Sequence, residues 1–320
     1  MSSNGARPRL VVVGSMMVDL IAYADVLPDA GETLVGTDFK MGFGGKGANQ
    51  AVTASRLGAE VAFVGRVGDD HFGELSLENL VAQRIDPRMV KRVPGRSTGV
   101  APIWVDGNGM NRIVIVPGAN EAISADTVRQ ELGQVEDADC VVCQLEIRGE
   151  AVEEAFRIGR EWGALTILNP APARSDAVQL FAMADWVVPN EHEFQLLWGA
   201  APSDAAVLAA AAAWRCGVVV TLGERGAAVT SDGGVVRREP PPVAPVDTTG
   251  AGDAFVGGFA HALAAGFPLA AALELGNACG ALSTQALGTQ TSFPSREAVL
   301  AQLGPHGLDP ARSQQEGAGR

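Results

Sequence analysis

The sequence predicts an α/β fold, with a central, mostly parallel β-sheet flanked by helices and a small β-sheet lid beside it. Three observations predict it. Short β-type runs alternate with helical patterns, as βαβ units do. Several of these runs are apolar without alternation, the pattern of strands covered on both faces. Two extended segments break the rhythm and have to pack elsewhere, which supplies the lid. At 320 residues the chain has room for about two structural units of ~150 residues, or for one large α/β domain.

Taken in order, RLVVVG (9–14), EVAFVG (60–65), DCVVCQLE (139–146), ALTILNP (164–170), DWVVPN (185–190) and GVVVTLG (217–223) read as strands, with helical stretches such as 150–162 between them. TLVGTDFKMGF (33–43) and STGVAPIWVDGNGMNRIVIVPGAN (97–120) are the interrupting segments. The second reads as a hairpin turning at Asp106-Gly107-Asn108-Gly109. The expected division is an α/β body over 1–16, 44–96 and 121–304 and a lid over 17–43 and 97–120. GPHGLDPARSQQEGAGR, polar and rich in Gly and Pro, makes 305–320 a frayed, flexible tail.

Composition narrows the function classes. With 47% hydrophobic and 19% charged residues the chain is globular. A net charge of −13 argues against nucleic acid as a partner, since a phosphodiester backbone needs a basic face. Any anionic ligand must therefore be held locally, by helix N-termini, backbone N–H groups or a metal. The first residues contain no apolar core of signal-peptide length, and the longest apolar stretch, 205–214, falls well short of the ~20 residues that span a bilayer. A cytoplasmic protein with a half-buried alanine-rich helix is expected, with no membrane partner. Cys140 and Cys143 form a C-x-x-C pair inside a β-type run, where i and i+3 point to opposite faces, so they are expected as core residues. Cys216, Cys279 and the four scattered histidines add no ligand spacing.

Two glycine clusters carry the chemistry. GFGGKGANQ (42–50) satisfies G-x-G-x-x-G at Gly42, Gly44 and Gly47, and Lys46 follows Gly45 as in a P-loop. Neither nucleotide reading survives inspection. Lys46 is followed by Gly47, the first P-loop glycine would fall at Lys40, and the dinucleotide motif lacks its preceding βαβ strand and its acidic residue about 20 positions on. An NAD-dependent oxidoreductase is thereby disfavoured. VDTTGAGDAFVGGFAHAL (246–263) is more informative, because Gly250-Ala251-Gly252 stand directly before an apolar helix. The first N–H groups of that helix are unpaired and its dipole favours an anion there. Asp253 in the first turn complements the dipole, and it also supplies a carboxylate that can accept a hydroxyl proton beside an anion site.

GFGGKGANQ, NPAPA (169–173), PNEHE (189–193), TLGERGA (221–227) and DTTGAGD (247–253) occur in the order and approximate spacing of one family. From about Leu10 to Pro294 the chain resembles the ribokinase family of PfkB-type sugar kinases. That resemblance implies a ribokinase-like fold and an ATP-dependent phosphotransferase with an alcohol group as acceptor, converting D-ribose and ATP to D-ribose 5-phosphate and ADP. It implies Asp253 as base and Gly250, Ala251 and Gly252 as anion hole. Asn190 and Glu193 match the N-x-x-E motif that places the phosphates and a hydrated Mg²⁺, although Asn followed three residues on by Glu is also a capping box. Thr221, Leu222, Gly223, Glu224, Arg225 and Gly226 match the segment lining the nucleotide, and Asn277 the position near the adenine. Asp247, Thr249, Ser283, Ala286, Gly288 and Ser292 match the site of a monovalent cation, K⁺ by the family's habit.

For the sugar, the resemblance implies Asp19, Gly45, Lys46, Asn49 and Glu146, whose carboxylates, amide and ammonium suit adjacent hydroxyls. One position departs from the pattern. Bacterial relatives carry G-S-x-N-x-D where this chain reads Gly14-Ser15-Met16-Met17-Val18-Asp19, so Met17 replaces an asparagine that contacts the sugar. A thioether cannot donate to a hydroxyl, and 2-deoxyribose or another sugar is the alternative substrate. A sensor that keeps the fold without turnover is a further alternative, against which the intact GAGD speaks. The family also implies a homodimer formed through the lids.

Overall fold

The structure, a computed structural model, describes residues 7–304 and residue 307. The expected tail at 305–320 therefore lies, except for Gly307, outside the described residues, as do residues 1–6. Nine strands form the central sheet. In chain order they are β1 (Arg9–Val13), β4 (Glu60–Gly68), β5 (Val90–Val93), β8 (Cys140–Gln144), β9 (Leu165–Asn169), β10 (Trp186–Val187), β11 (Gly217–Thr221), β12 (Ala227–Ser231) and β13 (Gly234–Arg238). Across the sheet they lie β13-β12-β11-β10-β9-β8-β1-β4-β5, parallel except for β12 and β13. A second sheet of four strands, β3-β2-β6-β7, is built from β2 (Met17–Tyr23), β3 (Asp38–Gly44), β6 (Gly99–Val105) and β7 (Asn111–Ile113).

Nine helices among the described residues cover the central sheet: α1 (Lys46–Leu57), α2 (His71–Ala82), α3 (Ala125–Leu132), α4 (Gly149–Trp162), α5 (Glu191–Trp198), α6 (Asp204–Trp214), α7 (Ala251–Ala264), α8 (Leu269–Ser283) and α9 (Arg296–Leu303). The strands alternate their side chains between two hydrophobic layers. Leu10 and Val12 of β1 pack with Phe255 and Phe259 of α7, whereas Val11 and Val13 pack with Val152 and Phe156 of α4. Cys140 and Cys143 divide in the same way, one in each layer, as their spacing predicts. Unbroken apolar runs are thus explained by helices on both faces.

The six expected strands and the helix over 150–162 are present, with two adjustments. DWVVPN keeps only Trp186–Val187 in the sheet, because Pro189 has no N–H to donate. In the first interrupting segment only Asp38–Gly44 is strand, and 31–37 run as turn and irregular backbone. The hairpin turn is as read: Gly109 N donates to the Asp106 carbonyl at 2.9 Å and Asp106 N to Met110 at 3.0 Å.

Two polar clasps join the small sheet to the central one. The buried Asn120 side chain accepts from Met16 N at 3.0 Å and donates to Met16 O at 2.8 Å, holding the peptide that leads into β2. Asp70, the N-cap of α2, accepts from both the backbone N and the hydroxyl of Thr98, just before β6. The chain reverses its direction of travel across the sheet at β1, which has β4 on one side and β8 on the other. Such a switch point opens a crevice beyond the carboxyl ends of the strands.

Candidate active site

The residues named from the sequence gather at that crevice. The turn after β1 carries Ser15 to Met17, the end of β8 leads to Glu146, Asn190 follows β10, and Thr221 ends β11. A cavity of about 160 Å³ is lined by Lys46, Asn190, Glu193, Thr221, Gly250, Gly252 and Asp253, together with Asn169, Ala171, Val188 and Val256. A larger cleft of about 910 Å³ lies at the opposite, amino end of the strands. Two of its arginines serve main-chain carbonyls, Arg56 donating to Phe293 O and Arg296 to Leu57 O, the latter at the C-terminus of α1, where a cation is favoured.

Helix α7 begins at Gly250, whose φ of +80° suits glycine, and Asp253 occupies its first turn, buried. No side chain caps this helix start; Ala251 N turns back to Thr248 O at 3.2 Å, while Gly252 N has no main-chain partner and is left to a ligand. The Asp253 carboxylate is held on both oxygens: Asn49 Nδ2 donates to Oδ2 at 2.9 Å and Gln50 Nε2 to Oδ1 at 3.1 Å. Lys46, half-buried at the start of α1, is pushed above its ordinary pKa by the charge of Asp253, with Glu146 and Glu193 adding to the effect against desolvation. It stays an ammonium and balances three carboxylates. The lysine expected at the sugar thus also faces the cavity that contains Asn190, Glu193 and the α7 start.

Asn190 and Glu193 do form the capping box of α5, Asn190 Oδ1 accepting from Glu193 N and Glu193 Oε2 from Asn190 N, each at 2.8 Å. The box fixes Glu193 at the rim of the cavity, where burial raises its pKa and Lys46 opposes the shift. Asn190 and Thr221 are also bridged main chain to main chain. Beyond Thr221, Leu222 N donates to Gly226 O at 2.7 Å and closes a tight turn over Gly223–Arg225. Gly226 sits so close to the Arg238 carbonyl that a Cβ would approach it to 2.0 Å, and the same carbonyl accepts from Asn277 Nδ2 at 2.8 Å. Asn277 of α8 is therefore packed beside this turn.

The Asp19, Gly45, Asn49 and Glu146 group is equally compact. Strand β2 is internal to its sheet, between β3 and β6, and Asp19 is buried there against Gly44, whose Cβ would lie 2.5 Å from its carboxylate. Burial pushes the Asp19 carboxyl up to about 6, its hydrogen bond from Thr289 pulls it down, and Glu146 and Asp253 push it up further. Gly45, at φ +87°, is pressed against the backbone of Ser15 to Met17, closer than any side chain permits. Glu146 accepts from the Ser15 hydroxyl at 2.5 Å and from Lys46 N at 3.0 Å, which ties the start of α1 to the turn after β1. Met17 is buried and pairs with Gly44 and Gly99.

The remaining group surrounds Asp247. Its carboxylate accepts from Thr249 N and from Gly288 N, each at 2.9 Å, so the 286–292 loop is wrapped onto the segment before α7. Burial raises the Asp247 pKa, but these hydrogen bonds outweigh it and leave the group below the ordinary range. Ser292 Oγ donates to Gly288 O, and Ser283 Oγ to Gly280 O. Oxygen donors alone make a set suited to a hard cation. Among the described residues no three His, Cys, Asp or Glu side chains converge as a metal cage.

Sequence reasoning missed Gln50, Gln144, Asn169, Thr289 and Gln290. Gln144 donates to Gln50, Gln50 also donates to Asn169, and Gln290 donates to Asn49. The available signal was a polar residue inside an apolar run, as in VVCQ and at the end of GANQ.

Residues 7–296 match the family described as pfkB family carbohydrate kinase. The deoxyribokinase of Salmonella typhimurium is 39% identical over 295 residues, covering 90% of this chain and 96% of that protein. The ribokinase of Mus musculus is 41% identical over 298 residues, covering 90% of this chain and 92% of that one. Among solved structures, that of Arabidopsis thaliana ribokinase complexed with ribose and ATP superposes with a TM-score of 0.83 at 30% identity, covering 93% of this chain and 99% of that one.

Proposed function

Because the chain belongs to the pfkB family of carbohydrate kinases, we propose that it is an ATP-dependent sugar kinase that converts D-ribose and ATP to D-ribose 5-phosphate and ADP. One observation carries the reading: a buried carboxylate, Asp253, stands in the first turn of a helix whose start no side chain caps, on a cavity shared with a lysine. Asp253 takes the proton of the primary hydroxyl as its oxygen attacks the terminal phosphorus, and the P–O bond to the leaving ADP breaks. The N–H groups of Gly250, Ala251 and Gly252 hold the phosphoryl charge, and Lys46 adds its ammonium on the same cavity. Asp19, Glu146 and Asn49, with backbone at Gly45, receive the sugar hydroxyls, and Thr221 to Gly226 with Asn277 line the nucleotide. The sheet of β2, β3, β6 and β7 serves as the lid over the sugar.

Kinases of this family use ATP with Mg²⁺, and Glu193 is the residue that fits the ion through water, its backbone-held carboxylate lying on the cavity rim. The ion would neutralise phosphate charge. Asp247, Thr249, Ser283, Ala286, Gly288 and Ser292 would hold a K⁺ ion through oxygen atoms. The four cysteines carry no disulfide, which suits the cytoplasm, and no helix among the described residues is long and apolar enough to cross a membrane.

Met17 favours a second reading of the substrate. A buried thioether offers no donor to a ribose hydroxyl, and the matched Salmonella protein is a deoxyribokinase, so 2-deoxyribose is the competing acceptor. The lids are also proposed to pair two copies. Cross-strand partners Leu20 with Met41, and Ala22 with both Phe39 and Trp104, put one apolar face opposite to that of Asp19. Phe39 is 62% exposed, Met41 44% and Trp104 38%. Such a patch marks an interface.

Four measurements check this reading. Asp253→Asn is expected to lower kcat by roughly 10²–10⁴-fold, the usual worth of a positioned base, with ATP affinity little changed; retained turnover would exclude the base role. In a sugar panel kcat/KM is expected to be highest for D-ribose, and Met17→Asn to raise its ratio to 2-deoxyribose by up to about tenfold, one added hydrogen bond. A higher wild-type value for another sugar reassigns the substrate. With Asp19 titrating at about 6, the carboxylate is the form present above that pH and is lost below it, so KM for the sugar should rise as pH falls from 7 to 5; a flat profile removes Asp19 from sugar binding. Sedimentation should give twice the mass of the single chain, and Phe39→Asp with Trp104→Asp should halve it.

A further inference from the structure

We infer that Gln50 and Gln290 are positioning residues for the base, each a link in one of two one-way chains of side-chain amides that converge on the two oxygens of Asp253. This rests on the reading of Asp253 as the base. On one side, Gln144 Nε2 donates to Gln50 Oε1 at 2.7 Å, and Gln50 Nε2 donates to Asp253 Oδ1 at 3.1 Å. On the other, Asn79 Nδ2 donates to Gln290 Oε1 at 2.8 Å, Gln290 Nε2 to Asn49 Oδ1 at 3.1 Å, and Asn49 Nδ2 to Asp253 Oδ2 at 2.9 Å. Gln50, Gln144, Asn49 and Gln290 are all buried.

The direction of both chains follows from the carboxylate. An ionised Asp accepts and never donates, so the amides touching it must present NH₂ and turn their oxygens away. Those oxygens accept here from a second amide presenting its own NH₂, Gln144 on one side and Gln290 on the other. The inner chain ends on Gln144 Oε1, a buried acceptor with no partner, where Gly14 leaves no room for a side chain. Hydrogen bonds aligned in this way polarise one another. Two of the four or so lone-pair sites of the carboxylate are used, and the others stay open to the sugar hydroxyl. The carboxylate plane is thus fixed from two sides, by residues 203 and 204 positions away in sequence, before any substrate arrives. A base held in one rotation meets the hydroxyl in line, and misplacement by about an ångström costs on the order of 10²-fold.

A double-mutant cycle with Asp253 tests this. Gln50→Met keeps the length and removes both hydrogen-bonding groups; it is expected to lower kcat by roughly tenfold or more, with KM for sugar and ATP within about threefold of wild type. In the Asp253→Ala background the same change should have no further effect on the residual single-turnover rate, because the group it acts through is gone. Gln290→Met, acting on the other oxygen through Asn49, should behave alike with a smaller loss, and it carries the test if Gln50→Met does not fold. An equal loss in both backgrounds, an unchanged kcat, or a rise in KM that matches the loss would overturn the positioning role. Full activity of Asp253→Ala alone would instead overturn the reading of Asp253 as base, so the two failures are told apart.

Discussion

The site depends on how closely α1 is allowed to approach its neighbours. A Cβ on Gly47 would come within 2.7 Å of the Gly14 backbone, and one on Gly257 of α7 within 2.6 Å of Gln50 O. Glycine at these two positions lets a helix lie against the turn after β1 on one side and against α7 on the other. That contact brings Asn49 and Gln50 to Asp253 and Lys46 to the cavity at the start of α7. Any larger residue at either position would push α1 away from the turn after β1 or from α7. The dense packing of the two apolar layers gives this arrangement its rigidity, as a close-packed interior transmits small displacements without absorbing them.

Electrostatics at the site follow from the same crowding. Glu146, Glu193 and Asp253 are brought near one lysine, with Asp19 close to Glu146 and Asp253, and the charges are tolerated because each carboxylate is fastened. Glu146 is held by Ser15 and the Lys46 N–H, Glu193 by the Asn190 N–H, and Asp253 by two amides. Asp19 has a hydroxyl, Thr289, and burial drives its carboxyl to about 6. A chain of net charge −13 thereby keeps one ammonium and a helix start with no side-chain cap on a single cavity.

Much of this was legible in the sequence, and the reasons differ from part to part. Strands such as RLVVVG and GVVVTLG were readable because burial on both faces leaves an uninterrupted apolar run, and Asp253 because glycines and an acid at a helix start have local consequences. Asn190 and Glu193 were ambiguous for a physical reason, since one pair of side chains both caps α5 and faces the cavity. Gln50, Gln144 and Gln290 were not readable in this role. A polar residue in an apolar run signals a buried amide but not its partner, and their partners lie 94, 203 and 241 positions away. The shortening of DWVVPN to Trp186–Val187 and the irregular 31–37 are losses at element ends, where one proline or glycine decides.

Strands β2 and β3 leave the body after Ser15 and return to it at Gly45, and the two ends of that excursion, Met17 and Gly44, are already cross-strand partners. The excursion is therefore pinched at its neck. A chain segment whose ends are held together costs little to lengthen, shorten or replace, because closing a loop of any length demands only a slowly growing entropy. The body keeps β1, α1 and their glycine contact whatever hangs from the neck. The hanging part can thus vary while β1, α1 and the crevice beside them stay constant, which makes this architecture a chassis with an exchangeable front.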